Sequence, residues 1–234
     1  MAARESKGLT VLKSLAIGCC AGALVLAVPI CIDRINLRVK NKITLRSKFN
    51  FQKWIKLFDK LNFTKDVIIE IQSFGGSVDI FVFLAKHIIK RKMKYKFRLI
   101  CHIPEYACSG AWLIANCADS FEVNEHTFVS PFDPLMILGE KKKALYPIAL
   151  TENKDAQEIW LKRGLHEANF KHHADIYRKK VGEILDMIAT MHEWDEARKG
   201  RICDEFLSGK NSHCNLYSPT DLERFGYKIN YIPK

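Results

Sequence analysis

Two short turns hold the residues of this sequence whose types and spacing suit chemistry. Ser109 and Gly110 follow a predicted strand and open a predicted apolar helix, and Gly75 and Gly76 do the same after the β-rich run 67–71. The first backbone N–H groups of a helix have no partner within the helix and favour negative charge. A serine at such a position can attack a carbonyl carbon while those N–H groups stabilise the oxyanion. The pattern therefore suits acyl transfer.

Each turn also has an ordinary structural interpretation. Serine is a favoured N-cap of helices, and glycine is a favoured residue in turns. Ser109 taken alone is therefore more often a cap than a nucleophile. A catalytic interpretation needs support from the rest of the chain.

The elements around the two turns should bring them together. The strand 67–71 is followed by apolar residues at helical spacing over 78–89, then by a second strand at 97–103 and a second helix at 111–118. This βαβα order predicts two parallel strands joined by a right-handed crossover. The turns after parallel strands lie at the same edge of a sheet, where α/β proteins place their sites.

Several motifs, in this order, resemble the serine dehydrogenase proteinase family. They are the segments 73–78 (Ser-Phe-Gly-Gly-Ser-Val), 104–111 (Pro-Glu-Tyr-Ala-Cys-Ser-Gly-Ala), 125–134, 207–213 and 219–226. That family comprises membrane-associated relatives of signal peptide peptidase A and of the proteolytic subunit of the Clp protease. The resemblance covers nearly everything after Asn50.

The resemblance implies a fold and an activity. The expected fold is α/β, a ClpP/crotonase-like repeated ββα spiral with a parallel sheet over 49–234, preceded by one transmembrane helix. The expected activity is peptide hydrolysis with Ser109 as nucleophile and the N–H groups of Gly76 and Gly110 as oxyanion hole. Membrane-associated or unfolded polypeptides are the implied substrates, a homo-oligomer is implied, and no cofactor is required.

The general base is the least determined part of this hypothesis. By resemblance, Ser130 stands where the Clp subunit has its catalytic histidine, so a Ser-His-Asp triad is not expected. A Ser-Lys mechanism, as in signal peptide peptidase A, makes Lys154 the first candidate. Its ammonium must be neutral near pH 7, which requires burial or a nearby positive dipole. The alternatives are Lys162, Lys143, Lys142 and His126, and His213 is expected only in a supporting position.

The N-terminal part predicts a membrane anchor. Leu15–Ile32 is almost entirely apolar and is just long enough to cross a bilayer. The predicted organisation is a short polar N-terminus at 1–13, a transmembrane anchor at 14–33 and a basic linker at 34–48. A cleaved signal peptide is the alternative, but no small-x-small cleavage site is evident. The positive residues after the anchor predict a cytoplasmic catalytic domain.

Composition limits the remaining classes of function. The chain has 234 residues, a formal net charge of +11 and eight cysteines. Its basic residues are dispersed without a nucleic-acid-binding module, which favours a membrane-facing surface over nucleic acid. The cysteine spacing fits reduced thiols, hence a cytosolic domain. No metal is predicted, because there is no CxxC pair and His192–Glu196 lacks the second histidine of a zinc motif.

Two functions from other classes remain open. Ala111 and Ser130 replace glycines that are usual in the family, which is compatible with a catalytically inactive membrane scaffold or oligomeric binding protein. Acyl-CoA chemistry on a crotonase-like fold would use the oxyanion N–H groups without a nucleophilic serine, although Ser109 and the anchor count against it. The sequence also predicts amphipathic helices over 49–61 and 155–188.

Overall fold

The computed structural model describes residues 41–134, 136–138, 143–145, 158, 162 and 167–232. The chain divides into two compact units, Met1–Asn41 and Lys42–Lys234. Almost all described residues belong to the second unit.

The strands and helices of the described residues alternate along the chain. The strands are β1 (Lys42–Arg46), β2 (Val67–Gln72), β3 (Leu99–Ile103), β4 (Tyr106–Ala107), β5 (Ser120–Val123), β6 (Phe128–Val129), β7 (Met136–Leu138), β8 (Lys143–Leu145) and β9 (Ile229–Tyr231). The helices are α1 (Phe51–Phe58), α2 (Val78–Tyr95), α3 (Gly110–Ala115), α4 (Glu167–Met191), α5 (Glu196–Phe206) and α6 (Pro219–Arg224).

The main sheet has five parallel strands in the order β1-β2-β3-β5-β9. Its centre is apolar because alternate residues of β2, namely Val67, Ile69 and Ile71, are fully buried. The register places Val67 opposite Leu99. The α/β class and the parallel βαβα unit predicted from the sequence are confirmed.

Short extended segments follow three of the main strands and form a second layer of pairing. Ser73, which follows β2, forms a parallel bridge with Ala107 of β4, and β4 pairs in parallel with β6. The N–H of Cys108 donates to the carbonyl of Ser73 at 2.9 Å. These bonds bring the glycine turn after Ser73 against the turn that contains Ser109. Farther along, β7 and β8 form an antiparallel hairpin.

The segment predicted as a basic linker contributes a strand. Residues 42–46 form β1 at the edge of the main sheet, with Ile43 and Leu45 buried. The following helix, α1, buries Trp54 and Phe58, and the indole N–H of Trp54 donates to the carbonyl of Thr44 at 3.1 Å. The amphipathic helix predicted over 49–61 therefore forms over Phe51–Phe58 and packs on the domain.

The C-terminal helices have well-defined starts. Asp195 caps α5 by accepting from the N–H of Arg198, so α5 begins at Glu196. Ser218 and Asp221 form a capping box at the start of α6, and β9 then pairs with β5. The apolar stripe of α4 is buried within this one chain at Val181, Ile184, Leu185 and Ile188.

No helix among the described residues is both long enough and apolar enough to span a bilayer. The predicted anchor at 14–33 lies outside the described residues.

Candidate active site

The backbone of Ser109 has an unusual conformation. Its φ of 52° and ψ of −129° lie outside the regions that residues with a Cβ normally occupy. Ser109 precedes α3 at the N-cap position, yet its side chain makes no capping hydrogen bond. The serine is half-buried. Its hydroxyl is thus not used as a cap, and a strained serine between strand and helix is the arrangement of a nucleophile elbow.

The glycine turn touches the serine turn. Gly75 has a φ of +89°, and a Cβ there would lie 2.9 Å from the Cys108 carbonyl oxygen, the Gly110 nitrogen and the Ser109 Cβ. Only a residue without a side chain permits this approach. The sequence prediction that the two turns meet at one edge of the sheet is therefore confirmed.

Two backbone N–H groups at this junction are available to an anion. Within the described part of the chain, no acceptor is found for the N–H of Gly76 or of Gly110. The N–H of Ser109, in contrast, donates to the Ser130 hydroxyl at 3.2 Å. The predicted oxyanion donors thus remain unused. The Ser130 hydroxyl, in contrast, holds the backbone of the serine turn.

The start of α3 is fixed by its contact with α2. A Cβ on Gly110 would lie 2.5 Å from Cγ of the Phe81 ring, so the glycine allows the ring to lie directly against the helix start. Phe81 itself is 2% exposed. Gly110 therefore allows α2 and the start of α3 to pack closely.

Ser109 and Gly76 line a cleft of about 620 Å³. Apolar side chains supply most of its wall, and Phe74 stands at its exposed rim. The ring of Phe74 stacks on Tyr106 with centroids 4.2 Å apart, and Tyr106 stacks on Phe128. The apolar lining residues are Phe74, Val78, Phe81, Leu113, Phe132, Pro134, Tyr177 and Val181.

A histidine and a buried aspartate meet at the same cleft. Nδ1 of His213, which lines the cleft, lies 2.7 Å from Oδ1 of Asp133. The side chain of Asp133 is only 1% exposed, and that of His213 is 14% exposed. Sequence reasoning placed His213 in a supporting position and did not single out Asp133 as a site residue. The sequence feature that could have pointed to Asp133 is its position between two prolines in the segment 131–134.

Cys108 is the other nucleophilic side chain at this turn. Burial raises the pKa of its thiol, the proximity of Cys214 raises it further, and a hydrogen bond with Ser130 opposes these effects. A thiol with a raised pKa is a poor nucleophile near neutral pH. Ser109 also lines the cleft whereas Cys108 does not, so the position favours Ser109 over Cys108 as the attacking group.

The sequence-based candidates for the base fall in different places. Lys154 and Lys142 lie outside the described residues, and Lys143 is described only through its backbone in β8. Lys162 is 72% exposed and forms an ion pair with Glu158 at 2.7 Å. His126 is 74% exposed and lies 3.3 Å from a carboxylate oxygen of Glu125.

Another histidine in the sheet has a separate role. Nδ1 of His102 lies 3.4 Å from Oε2 of Glu70, and Lys42 also contacts this carboxylate. The hydrogen bond from His102 is the main reason that the pKa of Glu70 falls to about 2, and Lys42 acts in the same direction against the effect of burial.

No cluster of three or more acidic, histidine or cysteine side chains suitable for a metal occurs among the described residues.

No model of a known protein family matches the chain, and no curated protein matches it.

Proposed function

We propose that this protein is a membrane-anchored serine peptidase with a ClpP/crotonase-like fold. The observation that carries the proposal is the strained, half-buried Ser109, whose hydroxyl does not cap its helix. Strained residues persist where the surrounding structure imposes them, and they concentrate at functional sites. The three short segments at Ser73, β4 and β6, each of which follows a main strand, support the ββα spiral.

The reaction is acyl transfer to Ser109. Oγ of Ser109 bonds to the carbonyl carbon of the peptide, and its proton passes to a base. The carbonyl oxygen accepts hydrogen bonds from the N–H groups of Gly76 and Gly110. The protonated base then gives the proton to the leaving amine, and water hydrolyses the acyl-enzyme. The sequence-based hypothesis assigns the base to Lys154, and this assignment stays a prediction.

The lining of the cleft supports a preference for apolar side chains in the substrate. Its walls are mostly aromatic and aliphatic, and Phe74 extends this surface to the rim with 61% of its area exposed. Unfolded or membrane-associated polypeptides present such side chains, whereas folded soluble proteins bury most of theirs. The proposal also includes the membrane anchor at 14–33, a homo-oligomer and a catalytic domain on the cytoplasmic side.

Labelling with a fluorophosphonate probe tests the nucleophile in the detergent-solubilised full chain. Ser109→Ala should abolish labelling without loss of the folded state. Ser77→Ala is a matched control, because Ser77 lines the same cleft at the start of α2, also without a capping bond, but has an ordinary φ of −56°. Labelling should persist in this control.

Other outcomes would favour the alternative functions. Absence of labelling in correctly folded wild-type protein would favour the inactive scaffold. Hydrolysis of an acyl-CoA thioester that persists in Ser109→Ala would favour crotonase-type chemistry, which needs the oxyanion N–H groups alone. Cleavage of an unfolded polypeptide that is lost in Ser109→Ala would establish the peptidase.

A further inference from the structure

Asp133 is an unusually buried carboxylate, and it contacts His213. Asp133 is 1% exposed, Oδ1 lies 2.7 Å from Nδ1 of His213, and Oδ2 has no hydrogen-bond partner among the described residues. A buried carboxylate is costly unless it is paired. Within the described part of the chain, His213 is the only side chain found to bind it.

The pairing fixes the chemistry of the imidazole. An ionised carboxylate accepts hydrogen bonds but cannot donate them, so an ionised Asp133 requires Nδ1–H of His213 as the donor. In the neutral ring with this tautomer, Nε2 holds the lone pair. No described residue forms a hydrogen bond with Nε2. This orientation by a carboxylate is what a histidine base requires.

Two observations place His213 and Ser109 at the same cleft. His213 and Ser109 both line the cleft of about 620 Å³. Cys214, which follows His213, is near enough to Cys108, which precedes Ser109, to contribute to the raised pKa of the Cys108 thiol. The loop that carries His213 is thus adjacent to the turn that carries Ser109.

We infer that His213, oriented by Asp133, is the general base that activates Ser109, in place of the lysine predicted from the sequence. The inference rests on the proposed function. As Oγ of Ser109 bonds to the acyl carbon, its proton moves to Nε2 of His213, and the imidazolium then returns this proton to the departing amine. Asp133 keeps its negative charge throughout and stabilises the imidazolium. Water then gives a proton to Nε2 of His213 as it bonds to the acyl carbon, and the imidazolium returns this proton to Oγ of Ser109 as the acid leaves.

The rate of fluorophosphonate labelling measures this step, because Ser109 displaces fluoride from phosphorus while the base accepts its proton. General bases contribute about 10²- to 10⁴-fold. His213→Asn should therefore slow labelling at least about 100-fold, although its amide can still donate to Asp133 and preserve the fold. His213→Ala should recover part of the rate with added imidazole. A histidine with a purely structural role would give no such rescue.

A second histidine–aspartate pair provides the matched control. Nε2 of His87 on α2 lies 2.8 Å from Oδ1 of Asp59, and neither residue lines the cleft. His87→Asn should label at the wild-type rate. Asp133→Asn should slow labelling, because the amide no longer stabilises the imidazolium, whereas Asp59→Asn should not.

The outcomes separate this inference from the proposed function. If wild-type protein labels at Ser109 and the folded His213 variants label equally fast, the inference is wrong although the nucleophile stands. Labelling lost in Lys154→Ala but retained in His213→Asn would restore the lysine. Folding of each variant is checked by its thermal unfolding transition, and a His213 variant that unfolds is judged by Asp133→Asn and by imidazole rescue of the remaining folded fraction.

Discussion

The strain at Ser109 leads to a prediction that can be measured without any substrate. Its φ of 52° and ψ of −129° are accessible to glycine but unfavourable for a residue with a Cβ. Ser109→Gly should relieve the strain, whereas Ser109→Ala keeps the Cβ and therefore keeps it. Because the side chain makes no capping bond, neither change removes one.

The expected magnitude follows from two opposing effects. Residues held in sparsely populated backbone regions cost about 1–3 kcal/mol each. Glycine in turn loses about 0.5–1 kcal/mol more conformational entropy on folding. Ser109→Gly should therefore raise the free energy of unfolding by about 1 kcal/mol relative to Ser109→Ala, which corresponds to a Tm higher by about 2–4 °C in a domain of this size.

The assay is thermal and urea-induced unfolding of both variants at one pH. Ser77 provides the control, since its φ of −56° and ψ of 125° suit any residue. There, the Gly-minus-Ala difference combines the preference of an N-cap for glycine over alanine with the entropy cost of glycine, and it contains no relief of strain. The difference should thus favour glycine more at Ser109 than at Ser77, by about 1–3 kcal/mol. A Ser109→Gly variant less stable than Ser109→Ala would refute the argument from strain.

Three other predictions address different parts of the molecule. Gly75→Ala should destabilise the domain and abolish labelling, because its Cβ would lie 2.9 Å from the serine turn; Gly182→Ala, with no atom within 4 Å, should stabilise α4 by about 0.5–1 kcal/mol. Burial, assisted by the nearby charge of Lys92, lowers the pKa of His192 from 6.5 to about 4. The contribution of the neutral imidazole to the free energy of unfolding is therefore present above pH 6.5 and is lost as the pH falls towards 4. Unfolding free energy should decrease by up to about 3 kcal/mol across that range, and less in His192→Phe. Deletion of residues 1–48 should lower the free energy of unfolding by about 3–6 kcal/mol more than deletion of 1–40, because it removes the buried Ile43 and Leu45. Urea unfolding measures this difference, and equal stability of the two truncated chains would contradict the role of β1.

Much of the fold was predictable because its signals are local. The alternation in Val67–Gln72 and the helical spacing that follows it determine a parallel βαβ unit without reference to the rest of the chain. The proline and capping residues at 218–221 likewise mark the start of α6. The meeting of the two turns then follows from the parallel arrangement, and the short distance from Gly75 to Ser109 is its consequence.

The missed features depend on packing between distant segments. The strand β1 was assigned to a linker because Lys42 and Arg46 flank a short alternation of only two buried residues, Ile43 and Leu45. The strands β4 and β6 have two residues each, which is too short for a periodic signal. Asp133 and His213 are 80 positions apart, so neither the burial of the one nor its contact with the other is encoded in local sequence.

The conformation of Ser109 also accounts for the different fates of two adjacent side chains. Cys108 is 7% exposed and contacts Ser130, whereas Ser109 is half-buried and lines the cleft. A serine with an extended backbone at the same position would normally direct its oxygen to the N–H groups of the first turn of α3. The positive φ instead separates the hydroxyl from that capping role, at a cost in stability. A scaffold would gain nothing from this cost, whereas a nucleophile needs a hydroxyl that is not held by the start of its own helix.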